Sequence, residues 1–115
     1  MAVLNKDLLK STGALVSTAL VEKEITWVSG GSENTATVYV RPLSYASAVS
    51  GVRSKDHVAA RIASCICDES GVPVFAEADI TGDADPERGC LCESLTVALL
   101  AAIGEASGLH EKKAN

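Results

Sequence analysis

The chain has 115 residues, about the size of one domain, so a single domain over residues 1–115 is the expectation. Hydrophobic residues make up 47% and charged residues 22%, as in an ordinary globular protein, and no apolar run approaches the roughly 18 residues of a membrane span. The net charge of −5 is concentrated in residues 68–93, which hold eight acidic residues and one basic residue (−7), so the composition excludes membrane insertion and disfavours nucleic-acid binding.

The first third of the chain predicts a short helix and a β-hairpin. Residues 5–12 are followed by Gly13, the usual residue just past a helix end. Residues 20–28 and 35–43 are β-branched and aromatic runs separated by the turn residues S-G-G-S-E-N, which is typical of an antiparallel hairpin. Pro42 lacks a backbone donor, so the second strand should end there or lie at an edge. The charged start of the chain, before any apolar run, predicts no signal peptide and a cytosolic protein.

Serine caps predict two helices in the middle of the chain. Ser44 can cap a helix over residues 45–52, interrupted near Gly51, and Ser54 can cap a second helix over residues 55–69. The apolar residues of the second helix recur at spacings of three and four and form one stripe: Val58, Ala59, Ile62, Cys65 and Ile66.

Turn residues then divide the acidic segment. Gly71, in the left-handed conformation, should end the second helix, and the apolar residues 72–75 should be extended. One helical turn can follow at residues 76–80. Asp85 is a candidate N-cap for the last helix, whose regular part should begin at about Cys90.

The last helix has the strongest amphipathic pattern in the sequence. Its apolar stripe consists of Leu91, Leu95, Ala98, Leu99, Ala102 and Ile103. Gly108 at the C′ position with Leu109 folding back predicts a Schellman end, and the polar tail 110–115 should fray. The pattern as a whole predicts an α+β fold, mainly α-helical, in which an N-terminal β-hairpin is followed by three or four packed helices.

Four cysteines form two C-x-C pairs, Cys65 with Cys67 and Cys90 with Cys92. A tetrahedral zinc site usually takes its thiolates from C-x-x-C turns, whereas residues two apart on a helix point about 200° away from each other. We interpret these cysteines as packing residues and expect no metal and no cofactor. A metal site and a redox pair are the alternatives.

Catalytic patterns are also missing from the sequence. His57 and His110 stand in no local motif with a nucleophile, and the acidic residues between 79 and 87 lack the spacing of a calcium loop. We therefore expect a protein that is not an enzyme.

The order of segments from Ala60 onward resembles a known family. The run A-R-I-A-S-C-I-C-D-E-S-G-V-P-V-F-A-E-A-D-I, an acidic gap and L-x-x-A-L-L-A-A-I-x-E-x-S-G-L are similar to the tail assembly chaperones of long-tailed, lambda-like bacteriophages. In that family a helix ends in an acidic turn, an apolar V-x-F segment follows, and a last amphipathic helix closes at S-G-L. The upstream V-Y-V-R-P-L-S resembles the family's strand and serine-capped helix, so the resemblance covers residues 35–109. The cysteines lie outside the pattern.

The resemblance implies a function in phage tail assembly. Such a protein coats the long helical tape measure protein, recruits the major tail protein through a longer product of a programmed frameshift, acts in the host cytoplasm and is absent from the mature virion. Lys112-Lys113 is compatible with an A-rich slippery run in the gene. Coating a long filament needs many copies, so a homo-oligomer is expected. A structural virion subunit, such as a tail or head-tail connector protein, and a small zinc-binding module are the alternatives.

A tape measure helix needs its apolar stripe shielded, and a groove lined by apolar side chains can do this. The predicted partner-binding residues are Val74, Phe75, Leu95, Leu99 and Ile103. The same side chains could instead fill the core of the monomer, and the sequence leaves that alternative open.

Overall fold

The computed structural model describes residues 3–17 and 19–108 of the chain. Its elements in chain order are α1 (Lys6–Thr12), β1 (Val21–Ser29), β2 (Ser32–Val40), α2 (Tyr45–Arg53), α3 (His57–Cys65), β3 (Ile66–Cys67), α4 (Glu77–Thr81) and α5 (Glu93–Ala106). The strands form one antiparallel sheet in the order β1-β2-β3. The α+β class is thus confirmed. Within the described ranges, no helix has the length and apolar character needed to cross a membrane.

The hairpin turns more tightly than predicted. Its loop consists of Gly30 and Gly31 alone, with φ angles of 61° and 79°. Two adjacent glycines supply the positive φ angles that a two-residue hairpin turn requires, so pairing continues to Ser29 and Ser32 beside the turn. The prediction of a six-residue loop is wrong, because residues 32–34 belong to β2.

A third strand replaces the end of a predicted helix. Helix α3 was expected to reach residue 69 but ends at Cys65, and Ile66 and Cys67 pair with Val40 and Tyr39 of β2. The backbone N–H of Arg41 donates to the Cys65 carbonyl at 2.7 Å, so this carbonyl bonds to the strand rather than to another turn of helix.

The helix starts agree with the sequence at some caps and differ at others. Helix α2 follows Ser44 as predicted but continues through Gly51 without interruption. Helix α3 is capped by Asp56, whose carboxylate accepts the Ala59 N–H at 3.0 Å, and not by Ser54. An aspartate two residues after the serine is therefore the better-placed acceptor for a first-turn amide.

The last helix begins later than predicted, at Glu93 rather than Cys90. The Asp85 carboxylate accepts the Glu87 N–H at 3.2 Å, which gives a single turn that ends at Gly89 with φ 85°. Because the chain leaves helical geometry there, residues 90–92 are irregular.

Several shorter predictions are confirmed. Helix α1 has Asn5 as its N-cap and Gly13, with φ 77°, at its end. Helix α4 ends at Gly82 with φ 91°, and Gly108 is left-handed with φ 71°. The predicted contact of Leu109 and the predicted fraying of residues 110–115 lie outside the described residues.

Helix α5 runs antiparallel to β1 and is fixed to it at both ends. Near its start the Ser94 hydroxyl accepts the Val28 N–H at 2.9 Å, and near its end Glu105 pairs with Lys23 at 3.3 Å. Eleven helical residues and five strand residues each span about 17 Å, so the two fixing contacts are in register.

The core lies between this helix, α3, α4 and one face of the sheet. Its buried members are Ile25, Val40, Ala59, Ile62, Cys65, Ile66, Ile80, Leu99, Ala102 and Ile103. Residues 21, 23, 25, 27 and 29 of β1 are less exposed than those between them, as expected for a strand with one covered face.

Gly82 provides a test of this packing, with Gly104 in α5 as its matched control. A Cβ at Gly82 would lie 3.0 Å from the Cys90 backbone nitrogen and 3.1 Å from the Gly89 carbonyl carbon, whereas a Cβ at Gly104 meets no atom within 4 Å. We expect Gly82→Ala to lower the free energy of unfolding by about 1–3 kcal/mol because of the positive φ and the backbone clash. Gly104→Ala should raise it by up to about 1 kcal/mol. Urea unfolding measures both, and equal effects would contradict the structure.

Candidate partner-binding groove

An apolar groove opens between the sheet, α5 and the segment that precedes α4. Its cavity has a volume of about 490 Å³ and exposes mainly carbon atoms. We define the groove by its apolar lining residues: Ile25, Trp27, Ala36, Val38, Ile66, Val74, Phe75, Leu95 and Leu99.

Hydrogen bonds hold Val74 and Phe75 in place on one wall of the groove. The Asp68 carboxylate accepts the Ser70 and Val72 N–H groups at 2.8 and 3.0 Å, which fixes a turn after β3. The chain then returns beside β3, and the Val74 N–H donates to the Ile66 carbonyl at 3.1 Å. Pro73 forms an isolated bridge with Cys67 and the chain bends at Val74, so the predicted extension of residues 72–75 is confirmed only at Pro73.

The Arg41 side chain fastens the same turn from the sheet. Its guanidinium donates to the Gly71 carbonyl at 3.0 Å and lies 3.8 Å from the Cys67 sulfur. Gly71 has φ 86°, the left-handed conformation predicted from the sequence. One wall of the groove is thus tied to β2 and β3 independently of the side chains that face the cavity.

Helix α5 supplies the opposite wall. Leu95 is half-buried and faces the cavity, whereas Leu99, one turn later, is only 1% exposed and lies at the floor. The Leu91 N–H donates to the Ile80 carbonyl at 3.1 Å and so joins the segment before α5 to the end of α4.

Four of the five residues predicted to bind a partner line this groove. They are Val74, Phe75, Leu95 and Leu99, and Val74 is the most accessible of them with 52% of its surface exposed. Ile103 is fully buried in the core and is not among the groove residues, so the alternative that it fills the core describes it better. Leu99 is shared between core and groove.

Sequence reasoning missed the contribution of the hairpin to the groove. Trp27 and Val38 come from β1 and β2 and lie on the same face of the sheet as Ile25 and Val40. The alternation in I-T-W-V was the available signal, because it places Ile25 and Trp27 on one face.

A second hollow of about 520 Å³ adjoins the groove and shares Trp27, Val74, Phe75 and Leu95 with it. Cys90, Leu91 and Cys92 line its far side. The concave apolar surface therefore continues past the groove toward the start of α5.

Carboxylates lie at both ends of this concave surface. Asp68 and Glu69 are exposed at the sheet end. Asp79 at the other end pairs with Arg88 at 2.9 Å. The Asp79 carboxylate accepts a hydrogen bond from the Ala76 N–H and another from the Arg88 guanidinium. Both hydrogen bonds lower the pKa of the Asp79 carboxyl group. Since Arg88 neutralises Asp79, the sheet end with Asp68 and Glu69 is the acidic one, and it suits an apolar helix that carries basic residues.

The two cysteine pairs occupy different environments, and of the four cysteines only Cys65 is helical as predicted. Cys65 ends α3, Cys67 lies in β3, and both are buried, whereas Cys90 and Cys92 are exposed in the irregular segment before α5. Burial raises the pKa of the Cys65 thiol. Cys67, predicted to lie off the apolar stripe, is covered because β3 places it under Arg41.

Possible metal and catalytic groups do not converge in the part of the chain that the structure describes. Within residues 3–17 and 19–108, no three His, Cys, Asp or Glu side chains are grouped to hold a metal ion. His57 is exposed at the start of α3, and His110 lies outside the described residues. The groove and the adjoining hollow together form the candidate partner-binding surface of the described residues.

A comparison with known protein families gives a match that covers most of the chain. The family model described as "Phage tail assembly chaperone, TAC" matches residues 7–107, a range that contains every residue of the groove. A comparison with curated proteins finds no match, and a comparison with solved structures finds none.

The burial of the cysteines predicts their reactivity. A thiol reagent such as Ellman's reagent should modify Cys90 and Cys92 rapidly in the native protein and should modify Cys65 and Cys67 only on unfolding. The rapid phase should disappear in the Cys90→Ser, Cys92→Ser double variant and persist in Cys67→Ser. Rapid reaction of all four thiols without denaturant would show that α3 and β3 are not packed as described.

Proposed function

The chain belongs to the phage tail assembly chaperone family, and we propose that it binds the tape measure protein of its phage and keeps it soluble until the tail tube forms around it. In this role the protein is not an enzyme and needs no cofactor. It acts in the host cytoplasm and leaves before the virion is complete.

The groove is the observation that carries this proposal. A tape measure protein is a long helix, and its apolar stripe is a liability in water until the tube covers it. The groove presents the half-buried side chains of Trp27, Phe75 and Leu95 together on one concave surface. Aromatic side chains in such a position supply much of the binding energy at protein interfaces.

The acidic sheet end of the groove adds a preference for the charge of the client. Exposed Asp68 and Glu69 favour a client helix with lysine or arginine beside its apolar stripe and disfavour an acidic one. The proposed client segment is therefore a basic amphipathic helix.

We further propose that the major tail protein is recruited by a longer form of the chain, extended in another reading frame. The 115-residue chain then supplies the client-binding part, and the extension of the longer form supplies the binding site for the major tail protein. Family membership favours this role over that of a structural virion subunit or a small zinc-binding module.

Val74 and Val97 provide a matched pair for testing the groove. They are 52% and 59% exposed, and only Val74 lines the groove. When the chaperone and its tape measure protein are co-expressed, Val74→Asp should lower the soluble fraction of the client and weaken the complex about tenfold or more, because the carboxylate would lie in an apolar contact. Val97→Asp should leave both unchanged. Thermal unfolding confirms that each variant is folded.

Phe75→Ala extends this test to a side chain that also packs on the core. It should weaken client binding and lower stability together, so Val74→Asp is the variant that separates the two effects. Normal solubility of the tape measure protein with both variants would count against the groove.

A further inference from the structure

The N-terminal arm, residues 3–17, carries exposed apolar side chains. Val3 is 80%, Leu4 73% and Leu15 56% exposed, and no residue of the arm is buried or belongs to the core. The hydrogen bonds of the arm stay within residues 3–19, among the residues that the structure describes.

The arm contains a short capped helix, α1, that can serve as a ligand. Helix α1 has an Asn5 N-cap, whose side chain accepts the Leu8 N–H at 2.9 Å, and a left-handed Gly13 at its end. A helix of seven residues gains little stability alone, so a persistent α1 needs a surface on which to place Leu4, Leu8 and Leu9.

The groove has the complementary properties. It is apolar, and none of its lining residues comes from the arm. The arm carries Lys6 and Lys10 against a single acid, Asp7, whereas the exposed Asp68 and Glu69 lie at the sheet end of the groove. The arm therefore has the character of the proposed client, a short basic helix with an apolar side.

We propose that the arm of one copy docks in the groove of a second copy. The two surfaces lie at different places on the chain, so arm exchange links copies either reciprocally in a dimer or successively in a ring or an open chain. The arm does not cover its own groove in this structure, since Leu4 and Leu15 are exposed and no arm residue lines the groove, which favours the groove of a neighbour.

The docking of the arm deepens the proposed function and rests on it in one respect: both take the groove to be a binding site for an apolar helix. The arm covers the groove while no client is present and competes with the client for it. Loss of the arm's apolar side chains therefore leaves the groove open and strengthens client binding, whereas loss of groove residues weakens both contacts.

Disulfide trapping tests the docking directly, because Cys90 and Cys92 are exposed on the far side of the adjoining hollow. The donor chain carries Leu4→Cys with Cys90→Ser and Cys92→Ser, and it is mixed with an isotopically labelled, unaltered acceptor chain under mild oxidation. We expect a donor–acceptor dimer with its disulfide at Cys90 or Cys92, identified by intact mass and peptide mapping.

The control donor carries Tyr45→Cys with the same two serines, since Tyr45 is 85% exposed on α2 and away from the arm. Docking raises the local thiol concentration into the millimolar range, so the arm donor should cross-link at least about tenfold faster than this control. Equal rates would overturn the proposal. The proposal would also be overturned if a Leu4→Cys chain that keeps Cys90 and Cys92 formed its disulfide only within one chain.

Sedimentation velocity adds a readout that needs no thiol. Leu4→Gln with Leu9→Gln should raise the concentration at which the chain self-associates about tenfold or more, because the apolar contact is lost. Val97→Gln is the control, since Val97 is 59% exposed on α5, lines neither hollow and should change nothing. Unchanged association of the double variant would contradict the proposal. No tape measure protein is present in either experiment, so these outcomes are separate from the test of the proposed function.

Discussion

The hydrogen bond from the Arg41 N–H to the Cys65 carbonyl, at 2.7 Å, is the contact on which the rest of the structure depends. Because the Cys65 carbonyl accepts this bond, it does not accept one from a further turn of α3, and Ile66 and Cys67 pair with β2 in the sheet. The chain then turns at Asp68 and returns with Val74 bonded to Ile66. Without this change from helix to strand, Val74 and Phe75 would not face α5, and the groove would not form.

Local signals in the sequence were sufficient for much of the fold. Gly13, Gly71, Gly82 and Gly108 mark chain reversals at positive φ, and each was readable because glycine tolerates that conformation best. Four of the five predicted site residues lie together because a stripe on one helix and an extended apolar segment nearby are both short-range patterns.

The errors arose where long-range contacts override local preference. The run from Ile62 to Ile66 has helical periodicity, yet pairing with β2 makes Ile66 and Cys67 a strand. Trp27 and Val38 enter the groove only because the hairpin packs under α5, a relation that joins residues far apart in the chain. Ile103 was predicted to bind a partner but is fully buried, because an amphipathic stripe does not reveal which of its turns reaches the surface.

Under the proposed function, the arm, the groove and its acidic sheet end suit a protein that holds an apolar helix reversibly. A chaperone of this kind has to bind a client firmly enough to shield it and weakly enough to release it when the tail tube closes. A concave site with one well-exposed valine, half-buried aromatic residues and screened surface charges suits such a moderate affinity.

Hydrogen exchange of the chain, measured with and without its tape measure protein, tests the central claim most directly. The account predicts slower exchange of amides in residues 72–76 and 91–96 in the complex, because these segments form the two walls that a bound helix would cover. Slower exchange confined to residues 45–53 of α2, with the groove unchanged, would contradict it and would place the client on α2.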